Sequence, residues 1–150
     1  HFDRAKIVFM KIILLHGPNL NLIGSISADI GSRITLDKIN TGIKRHIRNT
    51  STEIKICQTH KTYQAINFIQ RNRNWADGLL FAPMAWAFYE YAILDAIKIS
   101  GLPTIQLLFG DKYNNTNKEK SIFTNLTTDT IVGSPEKIYI DGIKFLENLK

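Results

Sequence analysis

The sequence predicts a doubly wound α/β domain, a five-stranded parallel sheet with helices on both faces. Three observations predict it. Short apolar runs alternate with longer stretches of helical period along the chain. One run, 78–82, is apolar throughout, as a parallel strand buried on both faces requires. The first run breaks abruptly into a loop of Gly, Pro and two Asn, Gly17-Pro18-Asn19-Leu20-Asn21-Leu22-Ile23-Gly24. In open α/β sheets ligands bind outside the carboxyl ends of the strands, so this loop marks a candidate pocket.

The elements follow in order. Ile12 to Leu15 forms the first strand. Thr35 can cap a helix over Leu36 to Arg48, with Asp37 favourably placed in the first turn and Ile39, Ile43 and Ile47 on one face. Glu53 to Gln58 is the second strand, and Thr62 to Gln70 repeats the helical period through Ala65, Ile66 and Ile69. Gly78 to Ala82 is the third strand. Ala87 to Ile99 reads as a long helix stopped by Ser100-Gly101 and Pro103. Thr104 to Leu108 is the fourth strand and Thr130 to Val132 a short fifth. Pro135 opens the last helix, which runs through Tyr139, Ile143 and Leu146. Right-handed crossovers then place helices on both faces, and a flavodoxin-like topology is the economical choice. The polar segment Asp111 to Thr128 lacks pattern and reads as a functional loop or a partly disordered one.

The 150 residues, 44% of them hydrophobic, suit one domain with a real core. That domain spans 10–150. Residues 1–9 read as a short N-terminal extension or an expression remnant, because Met10-Lys11 resembles a natural start. The segment has no apolar core of a signal peptide, and no run approaches the ~20 apolar residues of a membrane span. Cys57, the one cysteine, rules out an intrachain disulfide and reads as a small core residue suited to a reducing cytoplasm. The net charge of +6 comes from scattered residues, Lys44, Arg45 and Arg48 among them. No aromatic-basic motif accompanies them, so solvated helix faces explain them better than a nucleic-acid surface. No spacing calls for a metal or a cofactor.

The chemistry on offer at the strand ends is sparse. The Gly17 to Gly24 loop has neither the Gly-x-Gly-x-x-Gly nor the Gly-Lys-Ser/Thr spacing of a nucleotide site. Its asparagines can hold a polar ligand or brace the turn through their own backbone. His16 ends the first strand and His60-Lys61 follow the second, so either histidine could act as acid or base beside Asn19. No carboxylate is obviously placed to orient either one, so a structural role is the better reading. The third strand runs into Ala82-Pro83-Met84-Ala85-Trp86-Ala87-Phe88-Tyr89-Glu90-Tyr91, an apolar and aromatic loop suited to a planar ligand or a partner chain. The fourth ends in Leu107-Leu108-Phe109-Gly110 without a titratable group. Asp95 is an acid set into an apolar helix, where it can pair across an interface or face solvent.

On these residues the chain resembles the type II 3-dehydroquinate dehydratases. The likeness rests on Gly17 to Gly24, Thr35-Leu36-Asp37, Gln58-Thr59, Pro83 with Ala85, Ala92-Ile93 with Asp95, Pro103, and Ile131-Val132-Gly133. The resemblance implies the flavodoxin-like fold, assembly into trimers or dodecamers, and dehydration through an enolate without a cofactor. It also implies a tyrosine, a lid arginine and a histidine as the acting groups. Carried over residue by residue, the lid arginine falls on Ile26 and the tyrosine on Gly31, or on Ile30 with a one-residue slip. The ring-binding asparagine falls on Ala82 and the histidine on Phe88. The glutamate and second histidine of the fourth strand fall on Gln106 and Leu108. An arginine-rich segment falls on Asn114, Asn115, Thr116, Asn117 and Lys118. Asn19 survives, with Asp95 as a supporting residue at a subunit contact. Ligand-facing positions under the resemblance are Asn19, Ala82, Phe88 and Gly110.

A general acid or base is typically worth ~10²–10⁴-fold in rate. Losing these groups predicts a non-catalytic relative with a pocket reshaped for a more apolar ligand or a partner. The alternatives are an active dehydratase whose acid and base have moved to His16, His60, Tyr89, Tyr91 or Tyr113, and an interaction module using Trp86, Phe88 and Tyr89.

Overall fold

The computed structural model describes residues 9–110, 112–113 and 117–150. The expectation for residues 1–9 therefore lies outside the described residues except at Phe9, and so does that for Asn114, Asn115 and Thr116. The elements are β1 (Met10–His16), α1 (Ile23–Asp29), α2 (Leu36–Ile47), β2 (Thr52–Gln58), α3 (Thr62–Asn72), β3 (Gly78–Ala82), α4 (Tyr91–Ser100), β4 (Thr104–Phe109), β5 (Asp129–Gly133) and α5 (Pro135–Leu149). All strand pairs are parallel, in the order β2-β1-β3-β4-β5. The chain steps outward from β1 to β2, then crosses back to β3 on the other side. The β1/β3 boundary is thus the switch point at which this fold class opens a crevice.

Side-chain alternation along the strands sorts the core onto two faces. Ile12 and Leu14 of β1, Leu80 of β3 and Ile105 and Leu107 of β4 pack with Ile39 and Ile43 of α2 and Ile138, Tyr139 and Leu146 of α5. Ile13, Leu15, Leu79 and Phe81 pack with Ala65 and Ile69 of α3 and Ile93 and Ile97 of α4. The sheet is covered on both faces, as its unbroken apolar strands predict.

Local signals explain the element ends. Thr35 caps α2, its hydroxyl accepting from the Lys38 amide at 3.2 Å. Gly101 closes α4 in the left-handed region, and Pro135 occupies the first turn of α5. Gly42 stands inside α2 with nothing within 4 Å of where a Cβ would lie. A glycine there costs about 1 kcal/mol of helix stability relative to alanine.

Three sequence expectations need correction. Residues 23 and 24, read as the end of the Gly17 to Gly24 loop, instead open a helix over 23–29. Ile23 and Ser27 are buried, and the Ser27 hydroxyl donates to the Ile34 carbonyl at 2.7 Å. The helix expected from Ala87 begins only at Tyr91. Met84 takes φ 53° and Tyr89 φ −155°, so Met84–Phe88 coils into a tight 3₁₀ turn that sets Trp86 and Ala87 into the core. Within the polar segment, 117–128 is packed. Phe123 is fully buried edge-on to Phe81, the Ile122 amide donates to the Ala87 carbonyl, and the Thr128 amide to that of Thr104.

The β1 and β3 exits touch. The Gly17 amide donates to the Ala82 carbonyl at 2.8 Å, and a Cβ on Gly17 would stand 2.4 Å from the Pro83 carbonyl oxygen. Both neighbours are backbone and cannot step aside. Gly17→Ala is therefore expected to destabilise the fold by roughly 2 kcal/mol or more. Urea unfolding checks this, and an unchanged midpoint would contradict the close approach.

Candidate functional site

Three strand exits converge on the loop after β1. The Thr59 amide donates to the His16 carbonyl at 3.2 Å, and the Gln58 side-chain amide to the Gly17 carbonyl at 3.2 Å. Two residues on, Asn19 turns the chain with φ 67°, a left-handed conformation that Asn tolerates. Its backbone amide points at His60 and donates to Nδ1 at 3.1 Å. An Nδ1 that accepts leaves Nε2 to carry the ring proton. Asn19 and His60 are both exposed, so a donor on His60 and the Asn19 side chain stand together on the solvent side of the sheet edge.

His16 lies elsewhere. It is fully buried on the α2/α5 face. Tyr139 donates its hydroxyl to Nδ1 at 3.1 Å, and Nε2 donates to the Asn40 side-chain oxygen at 3.0 Å. Burial lowers its pKa to about 4, against a smaller opposing effect of the Asn40 hydrogen bond. The same burial pushes the Tyr139 hydroxyl well above its ordinary range. With both nitrogens engaged and no solvent access, His16 is a satisfied core histidine. This corrects its candidacy as a relocated acid or base.

The remaining candidates divide between core and surface. Ala82 and Leu108 are buried strand residues. Ile26 is half-buried against the α2/α5 core, and Ile30 is half-buried. Gly31 is exposed at φ 77° with open space around it. Gln106 is buried, and its amide nitrogen donates to Thr130 at 2.9 Å and Thr124 at 3.1 Å. Its oxygen accepts from Ser121. The residue therefore straps 117–128 to the sheet. Gly110 continues the β4 ladder by donating to the Gly133 carbonyl, and Tyr113 packs edge-on to Phe109. Phe88, Tyr89 and Tyr91 are exposed, at 47%, 56% and 64%. Among the described residues no tyrosine hydroxyl bonds Asn19 or His60. Trp86, offered as a partner contact, is instead a core residue at 1% exposure.

Glu90 was given no role by sequence reasoning. Its carboxylate accepts from the Thr62 hydroxyl at 2.7 Å and joins the starts of α3 and α4. Cys57 is half-buried, and burial raises its thiol pKa. Among the described residues no cluster of His, Cys, Asp or Glu could hold a metal, and no helix is long and apolar enough to cross a membrane.

Comparison with known proteins places this geometry in context. The family profile described as dehydroquinase class II matches residues 10–147. A 3-dehydroquinate dehydratase of Geotalea daltonii is 31% identical over 140 residues, 93% of this chain and 97% of that one. One from Clostridium botulinum strain Hall is 30% identical over 139 residues, covering 92% and 95%. The crystal structure of a type II dehydroquinase from Butyrivibrio crossotus superposes with TM-score 0.82 at 27% identity, covering 93% of this chain and 98% of that one. A 3-dehydroquinate dehydratase-like protein from Bifidobacterium longum shares the fold at TM-score 0.64 and 19% identity, covering 95% and 99%.

The buried His16 makes stability pH-dependent. In the unfolded chain its ring takes a proton near the ordinary 6.5, whereas the folded protein refuses it until about 4. Between those values the unfolded state binds more protons, so stability falls as the pH drops. The full loss is about 3 kcal/mol. Asp77 acts lower down. Burial would raise its pKa, but hydrogen bonds from Lys150 and the Lys11 amide bring it below 3.8, so its contribution is lost only under that pH. Urea unfolding between pH 7 and 4 is expected to show the slope, and His16→Asn to flatten it. An equal slope in the variant would refute the assignment.

Proposed function

We propose that this chain, which belongs to the class II dehydroquinase family, is a catalytically degenerate member whose strand-end site binds a ligand without dehydrating it. One observation carries the reading. The positions to which the family resemblance assigns proton transfer hold Ile26, Gly31, Phe88 and Leu108, none of which can exchange a proton. The nearby imidazole of His16 is locked into buried hydrogen bonds. Each absent acid or base removes ~10²–10⁴ in rate, and such losses, though not additive, leave little. The segment 23–32, where the resemblance calls for a mobile lid, is pinned here by buried Ser27. Apolar replacements at Ala82 and Phe88 also leave the hydroxyl groups of a polyhydroxylated carboxylate without partners, which favours a more apolar ligand.

A second reading is favoured by the 3.1 Å contact between Asn19 and His60. In it, an active 3-dehydroquinate dehydratase has moved its proton donor to His60, with Tyr89 as a further candidate group. One assay decides. Incubated with 3-dehydroquinate, the protein is expected to produce no enone absorbance of dehydroshikimate above the uncatalysed rate. Sustained turnover abolished by His60→Ala in a still folded protein would establish the second reading instead.

The family resemblance further supports a cytoplasmic homo-oligomer, a trimer or a dodecamer, with Asp95 at a subunit contact. Asp95 is exposed on α4, and among the described residues no side-chain hydrogen bond or ion pair engages it. Asp95→Ala is expected to shift the assembly toward smaller species in light scattering, with the monomer's secondary structure intact. An unchanged mass would remove Asp95 from the interface.

A further inference from the structure

The sheet has two edges, and they are unequal. β5 is five residues long and is followed closely by Pro135. β2 is seven residues long, Thr52–Gln58, and contains neither proline nor glycine to blunt it. The Met10 amide donates to the Ser51 carbonyl, and the Thr59 amide to that of His16, so the odd-numbered residues of β2 turn their backbone toward β1. Thr52, Ile54 and Ile56 turn theirs outward. The Thr52 amide is taken by the Thr50 hydroxyl at 3.2 Å. Among the described residues, nothing pairs with the outward amide and carbonyl groups of Ile54 and Ile56. Such a row is a template for another strand.

The side chains say which strand fits. Ile54 and Ile56 are half-buried at the margin of the α2/α5 core beside Ile47. Glu53 and Lys55 are exposed on the other face. Lys55 is held at this edge, its ammonium 4.2 Å from the Trp75 ring centroid and 3.3 Å from the Asn72 side-chain oxygen. Among the described residues no ion pair engages Glu53. The order Glu53-Ile54-Lys55 is its own complement. Laid antiparallel against a second β2 with Ile54 opposite Ile54, each Glu53 stands directly opposite Lys55 of the other copy, in the closer, non-hydrogen-bonded type of pair. The two Ile54 residues then exchange both backbone bonds. Sliding one strand by two residues, the least that keeps the outward groups facing, sets Lys55 against Lys55 or Glu53 against Glu53. One register is therefore favoured, and it is two-fold symmetric.

We infer that the β2 edge is an interface with a second copy of this chain, which adds its own β2 antiparallel and centred on Ile54, Glu53 of each copy pairing with Lys55 of the other. The contact makes one sheet continuous through both copies. It is separate from the contact at Asp95 on α4, and it stands whether or not the strand-end site is catalytic.

Light scattering on the whole protein tests it. Lys55→Glu and Glu53→Lys each put like charges into both symmetric pairs. Each is expected to weaken association at this edge at least about tenfold and to bring the assembly to half its mass or less, with circular dichroism unchanged. The double variant Glu53→Lys/Lys55→Glu restores opposite charges and is expected to regain the wild-type mass. Asp95→Ala probes the other contact and does not alter these effects. Crosslinking reads the register. In a Cys57→Ser background, Ile54→Cys is expected to give a reducible dimer in air, because paired residues stand within disulfide reach, whereas Lys55→Cys is not. The proposal is overturned by a monomeric wild type, by a single reversal that keeps the full mass, by a double swap that does not regain it, or by crosslinking through position 55 in place of 54.

Discussion

Backbone meets backbone where β1 and β3 leave the sheet, and only a glycine at position 17 permits it. A Cβ would lie 2.4 Å from one carbonyl oxygen and 2.9 Å from another. Much of the sheet edge depends on this seam. β1 pairs with both β2 and β3, so its exit point fixes where all three loops begin. Pulled tight against Pro83, the chain must turn immediately, and it does so through left-handed Asn19. The turn aims the Asn19 amide at His60, 41 residues further on. At the same switch point Met84 also takes a positive φ, a conformation that costs a non-glycine residue about 1 kcal/mol or more. Next to these two strained residues the chain buries Leu20 and Trp86, one on each face of the sheet.

The buried polar side chains His16 and Gln106 are bound into the scaffold. His16 has two partners and Gln106 three, and neither is exposed. Removing a partner from a buried polar group costs about 1–3 kcal/mol. The same figure measures what chemistry would have to overcome, since a proton cannot enter or leave His16 without breaking a hydrogen bond in a dry environment. A group recruited so firmly for stability is withdrawn from catalysis. Gln106 makes the point from the other side of the sheet. It fastens Ser121, Thr124 and Thr130, turning a polar connection that resembles a functional loop into a packed one.

Period and punctuation made the sheet legible in the sequence. Strand bounds agree to within two residues because each apolar run ends at a glycine, proline or polar cluster, and Thr35 and Pro135 mark their helices as capping chemistry requires. The misses have physical causes. A methionine with positive φ leaves no trace in composition, so the tight turn that delays α4 could not be read. The helix α1 hides its buried face, because Gly24 dilutes the pattern and Ser27 buries a hydroxyl by bonding Ile34. The site was legible only in outline. Asn19 and His60 were placed on one edge by topology, but their contact depends on backbone direction. The fate of His16 depends on Tyr139, 123 residues away, and no local pattern carries such a pairing.

The electrostatics of the α4 start bear on what the edge can hold. A helix N-terminus beside a switch point is a ready site for an anion, because its free amides and dipole favour negative charge. Here Glu90 immediately precedes α4 and makes no cap hydrogen bond with its side chain. The carboxylate is held by the Thr62 hydroxyl at the start of α3 instead. The chain thus supplies its own acidic group at the mouth of the helix, anchored to the neighbouring one. A carboxylate ligand arriving there would meet a like charge where the fold class ordinarily offers attraction. The aromatic residues that flank Glu90, Phe88, Tyr89 and Tyr91, present exposed ring surface that needs no counter-charge. On the proposed reading of a repurposed site, both features favour a neutral, flatter ligand over an anionic polyol. That preference follows from the residues present, independently of the acids and bases that are missing.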